Sequence, residues 1–173
     1  MRFQATKISG VFIVESELIR DERGFFARLC CPVEMKAAGI EFEPKQTSIS
    51  HNSKHGTLRG LHYCTVPEAK LVRCVRGRVF DVAVDLRPNS PSHRQWVGTE
   101  LDPERANAMY IPSGVAHGFL TLEPDSEVLY QIDRIYVPGF DAGVRWNDPA
   151  FAIDWPAQPI VIHPRDEAYP LLE

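Results

Sequence analysis

Little in this sequence points to a covalent staple, a leader or a metal cage. The four cysteines, Cys30, Cys31, Cys64 and Cys74, include no C-x-x-C pair. A zinc or dithiol-redox reading therefore finds no support, and free thiols in a reducing cytoplasm are expected. The opening stretch MRFQATKISG has no apolar h-region and no small-residue cleavage site, so no secretory signal is expected. No apolar run approaches the roughly 20 residues that span a bilayer, which argues against a membrane protein. Positive charge is not in excess either: 19 Lys and Arg face 23 Asp and Glu, for a net charge of −4. That balance argues against nucleic acid or an anionic membrane as partner, but leaves room for a phosphate held by a few arginines.

What is present is the punctuation of an all-β chain. Fourteen prolines and eleven glycines cut the sequence into short segments without repeat or linker, and 173 residues suffice for one domain spanning 1–173. The clearest strand is Arg78–Arg87. Phe80, Val82, Val84 and Leu86 alternate on one face, and Asp81, Asp85 and Arg87 fall on the other. Gly77 before it and Pro88-Asn89-Ser90-Pro91 after it are turn chemistry. Further strands are expected at Val11–Val14, Lys70–Val75, Gln95–Glu100, Ala108–Ile111, Gly118–Leu122 and Glu127–Ile132. Helix is expected only at Pro32–Ala38, closed by Gly39, with a short turn around Asp102–Arg105. Many short strands with little helix indicate a sandwich or barrel.

Three histidines sit beside glycines in candidate strands: His55, His62 and His117. A single histidine is more often a satisfied core or surface residue. His62 is distinguished by its company, with Arg59 three positions before it and Lys70 and Arg73 soon after. Cations gathered beside an imidazole suit an anionic substrate from which a proton is moved. A metal site would need at least three converging ligands, and the His-x-His spacing common in metal-binding jelly rolls is missing: Gly60 and Cys64 stand at −2 and +2 from His62. Arg20-Asp21-Glu22-Arg23-Gly24-Phe25-Phe26 reads as a charged turn entering a strand, or as a phosphate contact followed by an aromatic platform for a base.

In order along the chain, several blocks resemble the dTDP-4-dehydrorhamnose 3,5-epimerase family from about residue 8 onward. They are Asp21–Phe26, Leu58-Arg59-Gly60-Leu61-His62-Tyr63, Lys70-Leu71-Val72-Arg73-Cys74, Val79–Arg87, Ile111–Phe119 and Trp146-Asn147-Asp148-Pro149. The resemblance implies a cupin-like β-jelly roll with a few short helices. It also implies a homodimer in which an N-terminal segment crosses to the partner, and a nucleotide-sugar substrate handled without cofactor or metal. His62 matches the general base, Asp166 its carboxylate partner, Tyr130 the acid on the opposite face of the sugar, and Lys70 the cation near the carbonyl oxygen. Arg59, His117 and Gln46 match substrate contacts, and Arg23 with Phe26 the residues delivered across the dimer. Arg73, Tyr136, Asp141 and Arg165 complete the expected binding set, although Asp141 and Arg165 do not keep the usual residue types.

Other departures bear on specificity. Gln46-Thr47-Ser48 replaces Gln-Asp-Asn, and Arg28 stands where a glutamate is common. Cys64 follows His-Tyr in place of glutamine, and Glu68-Ala69 precedes Lys70 in place of Gln-Gly. Arg28 and Ser48 alter the hydrogen-bond complement near the ligand. The favoured expectation is inversion at C3 and C5 of dTDP-4-keto-6-deoxyglucose, feeding rhamnose synthesis. The alternatives are epimerisation at one carbon, a GDP- or CDP-linked sugar, and a non-catalytic or metal-dependent sugar-binding cupin.

Overall fold

The computed structural model describes residues 1–172, and these form a two-sheet antiparallel jelly roll. In chain order the elements are β1 (Arg2–Ala5), β2 (Phe12–Glu15), β3 (Leu18–Asp21), β4 (Gly24–Ala27), α1 (Pro32–Ala37), β5 (Gln46–Asn52), β6 (Thr57–Cys64), β7 (Lys70–Arg76) and β8 (Val79–Asp85). They continue with β9 (Trp96–Leu101), β10 (Asn107–Ile111), β11 (Val115–Thr121), β12 (Ser126–Ile132), β13 (Asp141–Gly143), β14 (Val161–Ile162) and α2 (Pro164–Glu167). One sheet runs β1-β2-β10-β7-β12-β5 and the other β13-β6-β11-β8-β9, with β14 parallel to β6; β3 and β4 make a separate hairpin. Among the described residues no helix is long and apolar enough to cross a membrane.

The space between the sheets is filled from both sides. Val72 and Cys74 of β7, Met109 and Ile111 of β10 and Val128 of β12 meet Val79 and Ala83 of β8 and Val115 and Phe119 of β11. Both outer faces are covered as well. Met35 of α1, Ile40 and Phe42 lie on Leu71, Ala108 and Tyr110. Val144 and Phe151, with Trp155 beside them, lie on Leu61, Val82, Val84 and Ala116. Each central strand is thus buried on two faces, as strands covered on both sides require.

That double covering extends to the acidic face of β8: Asp81 and Asp85 are both wholly buried, with Asp81 in parity with Val79 and Ala83 of the inner core. Asp85 accepts from Arg87 Nε (2.7 Å), Arg87 N (3.1 Å) and Ser92 Oγ (2.7 Å), so it ties down the turn that follows β8. His55 lies in the exposed turn between β5 and β6, not in a strand. The expected Lys70–Val75, Ala108–Ile111 and Glu127–Ile132 strands appear within a residue of their limits, and the helix ends at Ala37. The charged turn at Asp21–Gly24 does enter a strand, β4, whereas strands β1, β3, β5, β13 and β14 and helix α2 were not anticipated.

Candidate active site

Strand β6 carries the site, and its course is set by glycine. Gly60 has φ +137°, and a Cβ there would lie 2.6 Å from the Cα of Gly118 on β11; a Cβ on Gly118 would meet Arg59 O at 2.8 Å. Only two glycines let these backbones come so close. The ladder between β6 and β11 shifts register at this point, and His62 is paired directly with His117. Cross-strand partners project to the same side of a sheet. That side is the interior, because His117 alternates with Val115 and Phe119 of the inner core.

Each imidazole has a carboxylate. His62 Nε2 lies 2.8 Å from Asp166 Oδ1, and the backbone N–H of Gly60 donates to Asp166 Oδ2 at 3.1 Å. Asp166, on α2, is 1% exposed. Burial works to raise its pKa, but the bonds from His62 and Gly60 and the charge of nearby Arg165 outweigh it and hold the carboxyl below its ordinary value. With Nε2 committed to Asp166, the lone pair of His62 resides on Nδ1. His117 Nε2 lies 2.7 Å from Asp81 Oδ1. Asp81 is pushed up by complete burial, against the pull of His117.

Tyr130 of β12 stands edge-on to His117, with ring centroids 6.0 Å apart at 80°. Burial pushes its phenol far above the usual value, against a hydrogen bond with Ser50 and the charge of Arg59. The hydroxyl is therefore protonated at neutral pH and able to donate. Lys70, which alternates with inward-facing Val72 and Cys74, lies with Nζ 3.1 Å from Glu68 Oε1. One of its three N–H groups is so engaged, leaving two for a ligand. Arg59 donates from Nε to Asn52 Oδ1 at 2.7 Å and lines a groove of about 510 Å³ with His62, His163, Arg165 and Asp166. Ser48 is the register partner of Tyr130. Gln46 Oε1 accepts from Tyr136 N at 2.7 Å, and Tyr136 Oη donates to Asp141 Oδ2 at 3.1 Å. Gln46, Tyr136 and Asp141 thus form one linked group. Arg165 Nε is 3.5 Å from Asp166 Oδ1.

Four expected residues are not brought to this group within the chain. Arg73 faces the other way from Lys70, because the two lie three apart on a stretch of β7 whose ladders keep their register. It is 2% exposed, and Nη2 donates to Leu29 O while Nε and Nη1 have no partner among the described residues. Burial pulls its guanidinium down to about 10, which leaves it charged at neutral pH. Arg23, Phe26 and Arg28 belong to the β3–β4 hairpin or the chain leaving it. Arg23 pairs with Asp21, Arg28 Nη1 with Glu34 Oε1 at 2.6 Å, and Phe26 is 72% exposed.

Conversely, Asp81, Asn52, Ser50 and Tyr169 belong to the site's surroundings without having been expected there, and Glu68, noted only as a departure before Lys70, proves to be that lysine's partner. Asp81 could have been found from its parity with inward-facing Val79 and Ala83, whereas Tyr169 carries no local signal. No three His, Cys, Asp or Glu side chains converge on one point among the described residues.

The sequence profile of dTDP-4-dehydrorhamnose 3,5-epimerase matches residues 5–173. A dTDP-4-dehydrorhamnose 3,5-epimerase of Methanothermobacter thermautotrophicus is 42% identical over 158 residues, covering 91% of this chain and 85% of the relative. The crystal structure of the Bacillus anthracis enzyme of that name, with TDP and pyrophosphate bound, superposes with a TM-score of 0.94 at 35% identity, covering 99% of each chain. The Legionella pneumophila dTDP-6-deoxy-D-glucose-3,5-epimerase in complex with dTDP-4-keto-L-rhamnose superposes with a TM-score of 0.92 at 37% identity, covering 98% of this chain and 92% of that one.

Proposed function

The chain belongs to the dTDP-4-dehydrorhamnose 3,5-epimerase family, and we propose from that premise that it inverts C3 and C5 of dTDP-4-keto-6-deoxyglucose by proton transfer through an enolate. The observation that carries the reading is the His62–Asp166 bond at 2.8 Å, because it leaves Nδ1 as a free base on a ring facing the interior. A ketone at C4 acidifies the hydrogens on C3 and C5, so inversion requires removal of a proton from one face and delivery to the other.

His62 Nδ1 takes the proton, and the electron pair of the C–H bond passes into the enolate with its charge on the C4 oxygen. Lys70 stabilises that oxygen with the N–H groups Glu68 leaves free. Tyr130 gives its phenolic proton to the carbon from the opposite face. The imidazolium then releases its proton and the phenolate recovers one, so the enzyme returns to its starting state. Asp166 keeps the imidazole in the required tautomer and favours its protonated form during the step. Arg59 supplies positive charge for the diphosphate.

The same reading has the β3–β4 hairpin deliver Arg23 and Phe26 to the pocket of a second copy in a homodimer. Two features support it: the hairpin is a sheet of its own with exposed Phe25, Phe26 and Ile19, and β5 leaves an open edge with Ile49 58% exposed.

Solvent deuterium wash-in followed by NMR tests the function. Label is expected at both C3 and C5 of dTDP-4-keto-6-deoxyglucose. In Tyr130→Phe, exchange with retention should continue because His62 can return what it took, while inversion falls sharply. Label at C3 alone would make the chain a mono-epimerase. Exchange only with a GDP- or CDP-linked sugar would assign base choice to Arg28 and Ser48.

A further inference from the structure

Asp166 grips His62 at one atom, Nε2, which leaves the imidazole free to rock about that bond. A second contact is needed to fix the plane of the ring, and the same chain segment provides one. Tyr169, three residues beyond Asp166, packs edge-to-face against His62 with ring centroids 6.0 Å apart at 70°. Its ring rests on Gly143, the register partner of His62 across the β13–β6 ladder. A Cβ on Gly143 would lie 2.2 Å from Tyr169 Cε2 and 2.3 Å from Cζ, so the seat exists only because that residue is glycine.

Tyr169 is also held from behind. Its carbonyl accepts from Arg145 Nε at 2.9 Å, and Leu172 N donates to the buried carboxylate of Asp148 at 2.6 Å. On the other side, His163 caps α2 by accepting from Arg165 N at 3.1 Å. Burial raises the Tyr169 phenol, with Arg165 alongside pulling it back, so the hydroxyl stays protonated at neutral pH.

The geometry points to Tyr169 as a positioning residue for the His62 base: seated on Gly143, its ring sets the plane of the imidazole that Asp166 holds at Nε2. The inference rests on the reading of His62 as the proton-abstracting group. It deepens that reading by assigning the alignment of Nδ1 to two contacts from one segment. Proton abstraction is sensitive to such alignment, because misplacement by about 1 Å can cost on the order of a hundredfold in rate.

Steady-state kinetics with dTDP-4-keto-6-deoxyglucose on Tyr169→Phe, Tyr169→Ala, Tyr169→Leu and Gly143→Ala test it, with thermal unfolding and dTDP titration on each. Tyr169→Ala should lower kcat roughly ten- to a hundredfold, with KM within about threefold of wild type. Tyr169→Leu, which fills the space without a ring, should show the same fall if the alanine variant does not fold. Tyr169→Phe should restore kcat to within about threefold, since the ring and not the hydroxyl does the positioning. Gly143→Ala should reproduce the loss by displacing the ring.

Unchanged kcat in both Tyr169→Ala and Tyr169→Leu overturns the inference, as does a loss confined to KM, which would make the ring a substrate wall. His62→Asn, run in parallel, separates the two levels. If it is inactive while the Tyr169 variants are unaffected, only this inference fails; if it keeps turnover, the reading of His62 as base falls and this inference with it.

Discussion

His62 and His117 stand opposite one another across the β6–β11 ladder, and each directs Nε2 to a buried carboxylate of its own, Asp166 and Asp81. The two pairs are not equivalent. The bonds of Asp166 hold its carboxyl below the ordinary value, whereas complete burial raises that of Asp81. An anionic carboxylate favours the imidazolium that proton abstraction creates, which supports the proposal that His62, paired with Asp166, is the base. His62→Asn is accordingly expected to lose turnover by about a hundred- to ten-thousandfold, the usual cost of a missing general base. Nucleotide binding by calorimetry should survive, and Asp166→Asn should be milder because it only loosens the ring and frees its tautomer.

The dependence of stability on pH should carry the signature of Asp85. Burial works to raise this carboxyl, but its bonds from Arg87, Ser90 and Ser92 bring it well below the unfolded value of 3.8. A depressed folded pKa adds stability that is fully present above the unfolded value and is lost as pH falls from there through the folded one. Wild type and Asp85→Asn should therefore differ most in urea unfolding near pH 6–7. The gap should narrow steadily below 3.8. A difference independent of pH would show that the carboxylate's charge contributes nothing.

Replacing Gly60 should damage both fold and turnover. Alanine there meets a φ of +137° and places its methyl 2.6 Å from the Gly118 backbone. Backbone strain of this kind costs about 1–3 kcal/mol, before the strands part to relieve the contact. A melting temperature lowered by about 2–4 °C per kcal/mol is expected in a chain of this size. A larger fall in kcat should accompany it, since His62 lies two residues away.

The assembly proposal predicts a dimer by light scattering and sedimentation. Arg23→Ala should raise KM several-fold with kcat little changed, because a phosphate contact far from the reacting carbons binds substrate and transition state alike. A monomer of full activity would contradict the crossed hairpin.

Legibility in the sequence followed polarity. Strands β7, β10 and β12 were visible because their apolar residues dominate at strand length. Strand β5, Gln46–Asn52, was not, since Ile49 is its only apolar residue and points outward. Its inward positions hold Ser48, Ser50 and Asn52, which serve the site and not the core. The two faces of β8 were legible by alternation, but that its acidic face lies inward was not, because only the structure places His117 against Asp81. The pairing of His62 with Asp166 came from resemblance, since no local pattern links residues 104 positions apart. Arg73 shows the opposite error. Counting it with Lys70 as one cation cluster overlooked that they fall on opposite sides of β7.

Among the described residues all fourteen strands end by Ile162, and Asp166, Tyr169 and the contact of Leu172 with Asp148 lie beyond them. The sheets and the carboxylate that holds His62 are therefore written in different stretches of the chain. A form cut after Ile162 would keep every strand of both sheets and would still present His62, but with nothing at Nε2 to select a tautomer. Proteolytic trimming of those eleven residues would then lower turnover without removing a strand, and turnover would report the integrity of the tail while circular dichroism changed little.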